Sequence, residues 1–192
     1  MAIMGRWEPD SRGRLQEAAL ALYSERGFDQ TTAAEIAARA GVTERTFFRH
    51  FADKREVLFG GSELLREQIV SGVAGVSAGQ SPLEAVARGL DVAAALLGEG
   101  RRDLVAQRQA VIAANPELRE RELAKMADYA TAVAATLRQR GVGELQATLA
   151  AEAGMSVLRV ALGRWASSDD DRSLPDIMTA ALAELRAVTA GR

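Results

Sequence analysis

The chain has 192 residues, 24 basic against 26 acidic, a net charge of −2, 48% apolar residues and no cysteine. This length and composition can bury a substantial core in one domain, or in a small and a larger one. The lack of cysteine excludes disulfides and thiolate metal sites, and the near balance of charge excludes nucleic-acid binding by bulk attraction, so any polyanion must be met by a local patch. No charged-then-apolar leader opens the sequence, and Arg, Glu or Asp interrupts every long apolar stretch; the expectation is a cytoplasmic protein with no membrane partner.

In chain order, a first helix is predicted over 11–27. Thr32 followed three residues later by Glu35 is a capping box, in which hydroxyl and carboxylate each satisfy a free N–H at a helix start, so a second helix runs over 33–40. Ile36, Ala37 and Ala40 give it a face of small and apolar residues. Gly41 stops it, because glycine alone enters the left-handed conformation of a helix C-terminus at no steric cost. Thr43 caps a third helix over 44–50. On that helix Phe47 and Phe51 share one face, Glu44 and Phe48 another, and Arg45 and Arg49 line up between them. Asp53 and Glu56 repeat the capping logic and predict a fourth helix over 53–76.

Two helices joined by a short glycine-containing turn form either a hairpin in an ordinary bundle or a helix-turn-helix, whose second helix lies in the major groove with its N-terminal residues at the base edges. Charge favours the second. Between Arg39 and Arg55 the basic residues Arg39, Arg45, Arg49, Lys54 and Arg55 face only Glu44 and Asp53, whereas residues 1–60 as a whole are neutral. Cations at the turn and at both helix ends suit phosphate contact. The candidate DNA-contacting residues are Thr32, Arg39, Thr43, Glu44, Arg45, Thr46, Phe48, Arg49, His50 and Lys54.

The stretch from about Arg12 to Leu58 resembles the N-terminal domain of the TetR family of transcriptional regulators. The resemblance is carried by Arg14-Leu-Gln-Glu-Ala-Ala-Leu-Ala-Leu-Tyr23, Gly27-Phe28, Thr31-Thr32, Ile36-Ala37, Ala40-Gly41-Val42, the run Thr46-Phe-Phe-Arg-His-Phe51, and Lys54 before Val57-Leu58. Such proteins usually place a tyrosine, whose hydroxyl binds a phosphate, where this chain has Phe48. The resemblance implies that this contact is missing here or is replaced by Arg49 or Lys54.

Beyond residue 58 the sequence is rich in Ala, Leu, Arg and Glu at helical spacing. Ser81-Pro-Leu-Glu84, Asn115-Pro116 and Ser173-Leu-Pro-Asp176 mark helix starts, and the Gly141 and Gly143 pair marks a stop. Helices are predicted over 82–98, 101–114, 116–140, 144–167 and 174–189, with a solvated loop at Ser167–Arg172. The expected fold class is all-α: a three-helix helix-turn-helix DNA-binding domain over 1–58 and a helical ligand-binding and dimerisation domain over 59–192.

The resemblance implies dimerisation through the last two helices and a ligand cavity among the others, with release of DNA when a bound ligand tilts the fourth helix. The sequence adds its own support. Leu149, Ala153, Ser156, Val160 and Gly163, then Ile177, Ala181 and Leu185, place small and apolar residues along one side of each helix, suited either to a symmetric four-helix contact between two chains or to core packing within one. Leu104, Gln107, Arg108, Val111, Met126, Tyr129, Val133 and Trp165 combine an apolar lining with a few polar groups and are the candidate pocket residues. Gln109–Leu137 also resembles the C-terminal domain of TetR-like regulators grouped as binding acyl-CoA-like ligands, including the mycofactocin regulator, which implies a long, partly apolar, anionic effector.

Catalysis is not expected. His50 is the only histidine and lies inside the DNA motif, so there is no histidine pair for a metal, and no glycine-rich phosphate loop exists. No catalytic residue, metal site or cofactor is predicted. The expected partners are a double-stranded operator, a second copy of the chain and a small effector. The competing expectation is an all-α dimeric adaptor whose DNA-binding motif is vestigial.

Overall fold

The structure, a computed structural model, describes residues 11–98, 100–167 and 172–190. Residues 168–171 of the predicted solvated loop lie outside these. All regular structure among the described residues is helical: α1 (Ser11–Arg26), α2 (Ala33–Arg39), α3 (Glu44–His50), a single 3-10 turn at Glu56–Phe59, α4 (Ser62–Ala74), α5 (Pro82–Gly98), α6 (Arg102–Ala114), α7 (Pro116–Gln139), α8 (Glu144–Ser167) and α9 (Leu174–Thr189). The chain divides into two compact units, Met1–Gly60 and Gly61–Arg192.

In the first unit, α1, α2, α3 and the 3-10 turn close around Leu15, Ile36, Phe47 and Val57, each fully buried. The turn between α2 and α3 is determined locally at both ends. Thr32 accepts from the Glu35 N–H while the Glu35 carboxylate accepts from the Thr32 N–H at 2.8 Å, completing the box. At the other end Gly41 takes φ +69, and the Val42 N–H reaches back to the Ala37 carbonyl at 3.0 Å, which uses up a carbonyl that the end of α2 would otherwise leave open. Thr43 then accepts from the Thr46 N–H at 3.2 Å to start α3.

The predicted single helix over 53–76 is corrected by the structure. Asp53 accepts from the N–H groups of both Arg55 and Glu56, at 2.8 and 3.1 Å, which winds the chain into a tight turn. Only the 3-10 turn follows, and α4 begins at Ser62 after Gly60 and Gly61, with no side-chain cap. A side chain competing for backbone donors, followed by two glycines, outweighs helical spacing of the apolar residues.

In the second unit, α4 and α5 pack most extensively, α7 lies on α4 and α8, and α9 covers α5 and α8. The core runs through Ile69, Val86, Val133, Leu137 and Leu158. Two approaches are closer than side chains permit. A Cβ on Gly89 would stand 2.7 Å from the Ile69 carbonyl oxygen, and one on Gly72 would stand 2.8 Å from the Gly89 Cα, so α4 and α5 touch backbone to backbone. A Cβ on Gly154 of α8 would collide with Val86 Cγ1. Arg140, just after α7, donates to the carbonyls of Ala74, Val76 and Ser77 at 3.0, 2.6 and 3.1 Å and so closes the C-terminal end of α4.

Candidate nucleic-acid interface

α3 presents Glu44, Arg45, Phe48 and Arg49 to solvent, while Phe47 on its opposite face is fully buried. The helix is therefore fixed by one ring and displays the others. Thr43 and Thr46 sit at its start with their hydroxyls 3.0 Å apart, so the cap restrains both. Arg45 and Arg49 make no hydrogen bond or ion pair among the described residues.

The other candidate cations are differently placed. Arg39 grips Glu25 of α1 through two bonds of 2.7 and 2.6 Å, and Arg26 pairs with Glu35 at 3.3 Å. These exposed pairs clip α1 to α2, leave Arg39 with a carboxylate partner rather than a bare charge, and lower both carboxyl groups. For Glu25 the cause is first its bond from Arg39; for Glu35 it is first the Thr32 N–H. Arg55 pairs with Asp53 at 2.7 Å.

Lys54 requires a correction. Expected as a phosphate contact, it instead points its ammonium at the carbonyls of Phe28 and Thr31, at 2.9 and 3.0 Å, with that of Asp29 at 3.4 Å, and stands 4.3 Å from the centre of the Phe28 ring. An ammonium has three donors, and these carbonyls take them all. Tyr23 donates to the Lys54 carbonyl at 2.6 Å, and burial first, then the Asp53 carboxylate, holds its phenol protonated. Lys54 thus staples the turn after α3 to the loop between α1 and α2. The local charge excess expected from Arg39 to Arg55 reduces, in unpartnered cations, to Arg45 and Arg49.

His50 stands 2.9 Å from the Ser11 hydroxyl, and Thr32 is occupied in its capping box, although its side chain is exposed. Sequence reading missed Glu25 and the Phe28 carbonyl as partners. No local signal could have revealed them, since each lies 14 or more residues from the cation it holds.

The eight pocket candidates are not brought together around one described cavity. Val133 and Val111 are core, Tyr129 and Trp165 are buried, and Leu104 and Gln107 are exposed. Trp165 alone lines a described cavity, one of about 630 Å³ bounded by Ala94, Arg102, Arg172 and Leu174. Arg108 pairs with Glu122 at 3.1 Å, and Gln109 donates to the same carboxylate at 3.2 Å, with Met126 half-buried nearby in sequence on α7. Burial pushes the Tyr129 phenol up to about 12. In the described cavities the apolar-with-polar pattern corresponds to core packing and an interhelical ion pair.

The last two helices leave apolar surface uncovered. Leu149 and Val160 are 61% and 52% exposed, Ser156 and Gly163 are exposed on the same helix, and Ala153 is half-buried. On α9, Ala181 and Leu185 are half-buried. Ile177 is corrected: it is buried in the unit's own core, because it lies on the face of α9 that packs on α5 and α8. A groove of about 400 Å³ runs between the helices, lined by Ser156, Val160, Ala181, Leu185 and Val188 among others. Leu145 and Val188, both 74% exposed, extend the apolar surface; of the two only Leu145 was missed, although the four-residue step from it to Leu149 could have indicated it.

Comparison with known proteins gives the arrangement its context. The family model described as bacterial regulatory proteins, tetR family, matches residues 15–59, and that described as the MftR C-terminal domain matches residues 80–190. The chain is 37% identical over 76 residues to the HTH-type transcriptional regulator TcmR of Streptomyces glaucescens, covering 40% of this chain and 34% of that protein. It is 44% identical over 55 residues to the HTH-type transcriptional repressor KstR2 of Mycobacterium tuberculosis, covering 29% of this chain and 26% of that one. Both matches span well under half of the relative's length. Among solved structures, Thermus thermophilus FadR, a TetR family repressor in complex with lauroyl-CoA, is 27% identical with a TM-score of 0.52, covering 91% of this chain and 93% of its own. Bacillus subtilis FadR in complex with stearoyl-CoA, at 21% identity, TM-score 0.63 and coverage of 90% and 96%, is alike in fold. With its N-terminal unit matched by one model and more than half of its length by the other, the chain belongs to the TetR family of bacterial transcriptional regulators and is not an enzyme.

Proposed function

We propose that the protein is a ligand-responsive repressor that binds a palindromic operator as a homodimer and leaves it when a partly apolar, anionic ligand such as an acyl-CoA binds. The observation that carries the DNA half is the distribution of charge on the N-terminal unit: Arg39, Arg26, Arg55 and Lys54 are held by partners within the protein, whereas Arg45 and Arg49 on α3 are kept without one. Two unpaired guanidinium groups on one exposed helix face suit base edges and phosphates, and a merely vestigial motif would have no reason to withhold them from carboxylates. One such helix reads too little sequence to be specific, and two related by a two-fold axis read successive major grooves about 34–36 Å apart. The uncovered apolar surface of α8 and α9 supports that pairing. In this reading residues 1–58 are the reader and 59–192 the effector and dimer domain, and the place of action is the cytoplasm.

The ligand half rests on the MftR-type match and on the likeness to the FadR that holds lauroyl-CoA. Arg108, half-buried beside Glu122, is the candidate partner for an anionic head, and α4, which follows the reader after Gly60 and Gly61, is the candidate lever. The test is direct. A palindrome bound beside the protein's own coding region is selected, and acyl-CoAs of several chain lengths are titrated against the preformed complex. Release at one range of chain lengths, with a raised melting temperature, supports the assignment. If no acyl-CoA releases the operator and none raises the melting temperature, the effector belongs to another chemical class; if no duplex binds at all, the adaptor reading takes over.

A further inference from the structure

The N-terminal unit has five large aromatic rings of one kind, and it hides four of them: Phe28, Phe47, Phe51 and Phe59 are at most 4% exposed. The fifth, Phe48, is 52% exposed and is the only large apolar side chain uncovered among the described residues of that unit. It stands on α3 between the two cations that have no partner, Arg45 and Arg49. Its ring is held edge-on against the buried Phe47 ring, with centroids 5.3 Å apart and planes at 82°, so it meets a ligand already oriented. Helical side chains lean toward the N-terminus, which lays this ring over the turn that carries Glu44 and Arg45.

A phenyl ring cannot bond a phosphate oxygen. In the major groove the one methyl group that base edges offer is the C5-methyl of thymine; cytosine presents only a bare C5–H at that place, and the other distinguishing groups are hydrogen-bond donors and acceptors. We infer that Phe48 is a specificity-determining residue that reads thymine through its 5-methyl group at one position of each half-site, beside the base or phosphate contacts of Arg45 and Arg49. The inference rests on α3 being the DNA reader. It assigns to this position a base preference rather than a grip on the backbone.

The experiment uses the full-length protein and a selected operator in which each thymine of the half-site is replaced in turn by deoxyuridine, which lacks only the methyl group. One symmetric replacement should weaken binding about fourfold per half-site, the worth of one buried methyl group, while the others change nothing. Phe48→Ala should bind the thymine and deoxyuridine operators equally, with only a small fall in melting temperature from the lost edge contact with Phe47. Arg49→Ala should weaken both operators and preserve their ratio. The inference is overturned if no thymine is sensitive to loss of its methyl, or if Phe48→Ala keeps the wild-type ratio; contact with a sugar would give that second result. Failure of the unaltered protein to bind any duplex would instead overturn the reading of α3.

Discussion

The two units expose opposite kinds of surface. Among the described residues the N-terminal unit leaves one large apolar side chain uncovered, Phe48, and keeps its two unpartnered arginines next to it; the C-terminal unit uncovers Leu64, Leu104, Leu123, Leu145, Leu149, Val160 and Val188. A surface reserved for a polyanion needs cations free of internal carboxylates, and a surface reserved for a protein partner needs apolar area free of internal cover. The contrast therefore sets the surface proposed to read DNA apart from the surface proposed to pair with a second copy.

The sharpest way to break that contrast is to place charge on the apolar face. Leu149→Glu combined with Val160→Glu would put four carboxylates into a symmetric interface, and burying unpaired charge costs about 3–5 kcal/mol per site broken. The expected outcome is a monomer by sedimentation at concentrations where the unaltered protein is a dimer, with operator binding lost at the same time although α3 is untouched. A variant that stays dimeric would move the interface off α8.

A second test asks whether the C-terminal unit depends on contacts that no exposed surface reveals. Gly89→Ala places a methyl group 2.7 Å from the Ile69 carbonyl oxygen and 2.8 Å from Val73 Cγ2. Overpacking of this kind costs about 1–3 kcal/mol, against a gain of about 1 kcal/mol in helix propensity. Denaturant unfolding should show a net loss in stability; unchanged stability would mean that α4 and α5 can part without cost.

These contacts also explain what the sequence could and could not disclose. Thr32, Glu35, Gly41 and Thr43 act on neighbours within a few residues, so the helix-turn-helix and its ends were readable. Gly72 against Gly89, Gly154 against Val86, Arg39 on Glu25 and Lys54 on Phe28 join distant positions, and each looks ordinary in its own stretch of chain. The glycines of α4 read as helix weakeners, yet Gly72 is where two backbones meet. Asp53 misled in another way, as an apparent helix cap whose carboxylate, bonded to two successive N–H groups, winds a turn instead. The pocket candidates were the least legible, because an apolar face with a polar neighbour is equally the signature of a core.

Within the reader, the cations divide by whether they are already used. Arg45→Ala should cost about 1–3 kcal/mol and relax preference at one base pair per half-site, because a guanidinium can pair with both acceptors of guanine. Lys54→Met should instead leave the salt dependence of binding unaltered and lower the stability of the fold by about 1 kcal/mol, since it removes the donor from part-buried carbonyls. Operator binding across salt concentrations, beside thermal melts, separates the two. A salt slope that falls by about 1 in Lys54→Met, with stability intact, would return Lys54 to the phosphate contacts.

The smallest expected effect lies at the start of α2, where Glu35 closes the capping box. Its carboxyl is held below the usual range first by the Thr32 N–H, then by the Thr32 hydroxyl. A folded-state value below the unfolded one means that the charged form stabilises the fold above the unfolded value, near about 4.3, and that this contribution disappears as the pH falls through the lowered one. Glu35→Gln keeps an oxygen for the same N–H but has no charge to lose. The unaltered protein should be slightly more stable than Glu35→Gln near neutral pH, and the two urea-unfolding midpoints should converge below pH 4. Midpoints that stay parallel down to the acid limit would mean that geometry alone holds the box and that the exposed charge, screened by solvent, adds nothing to it.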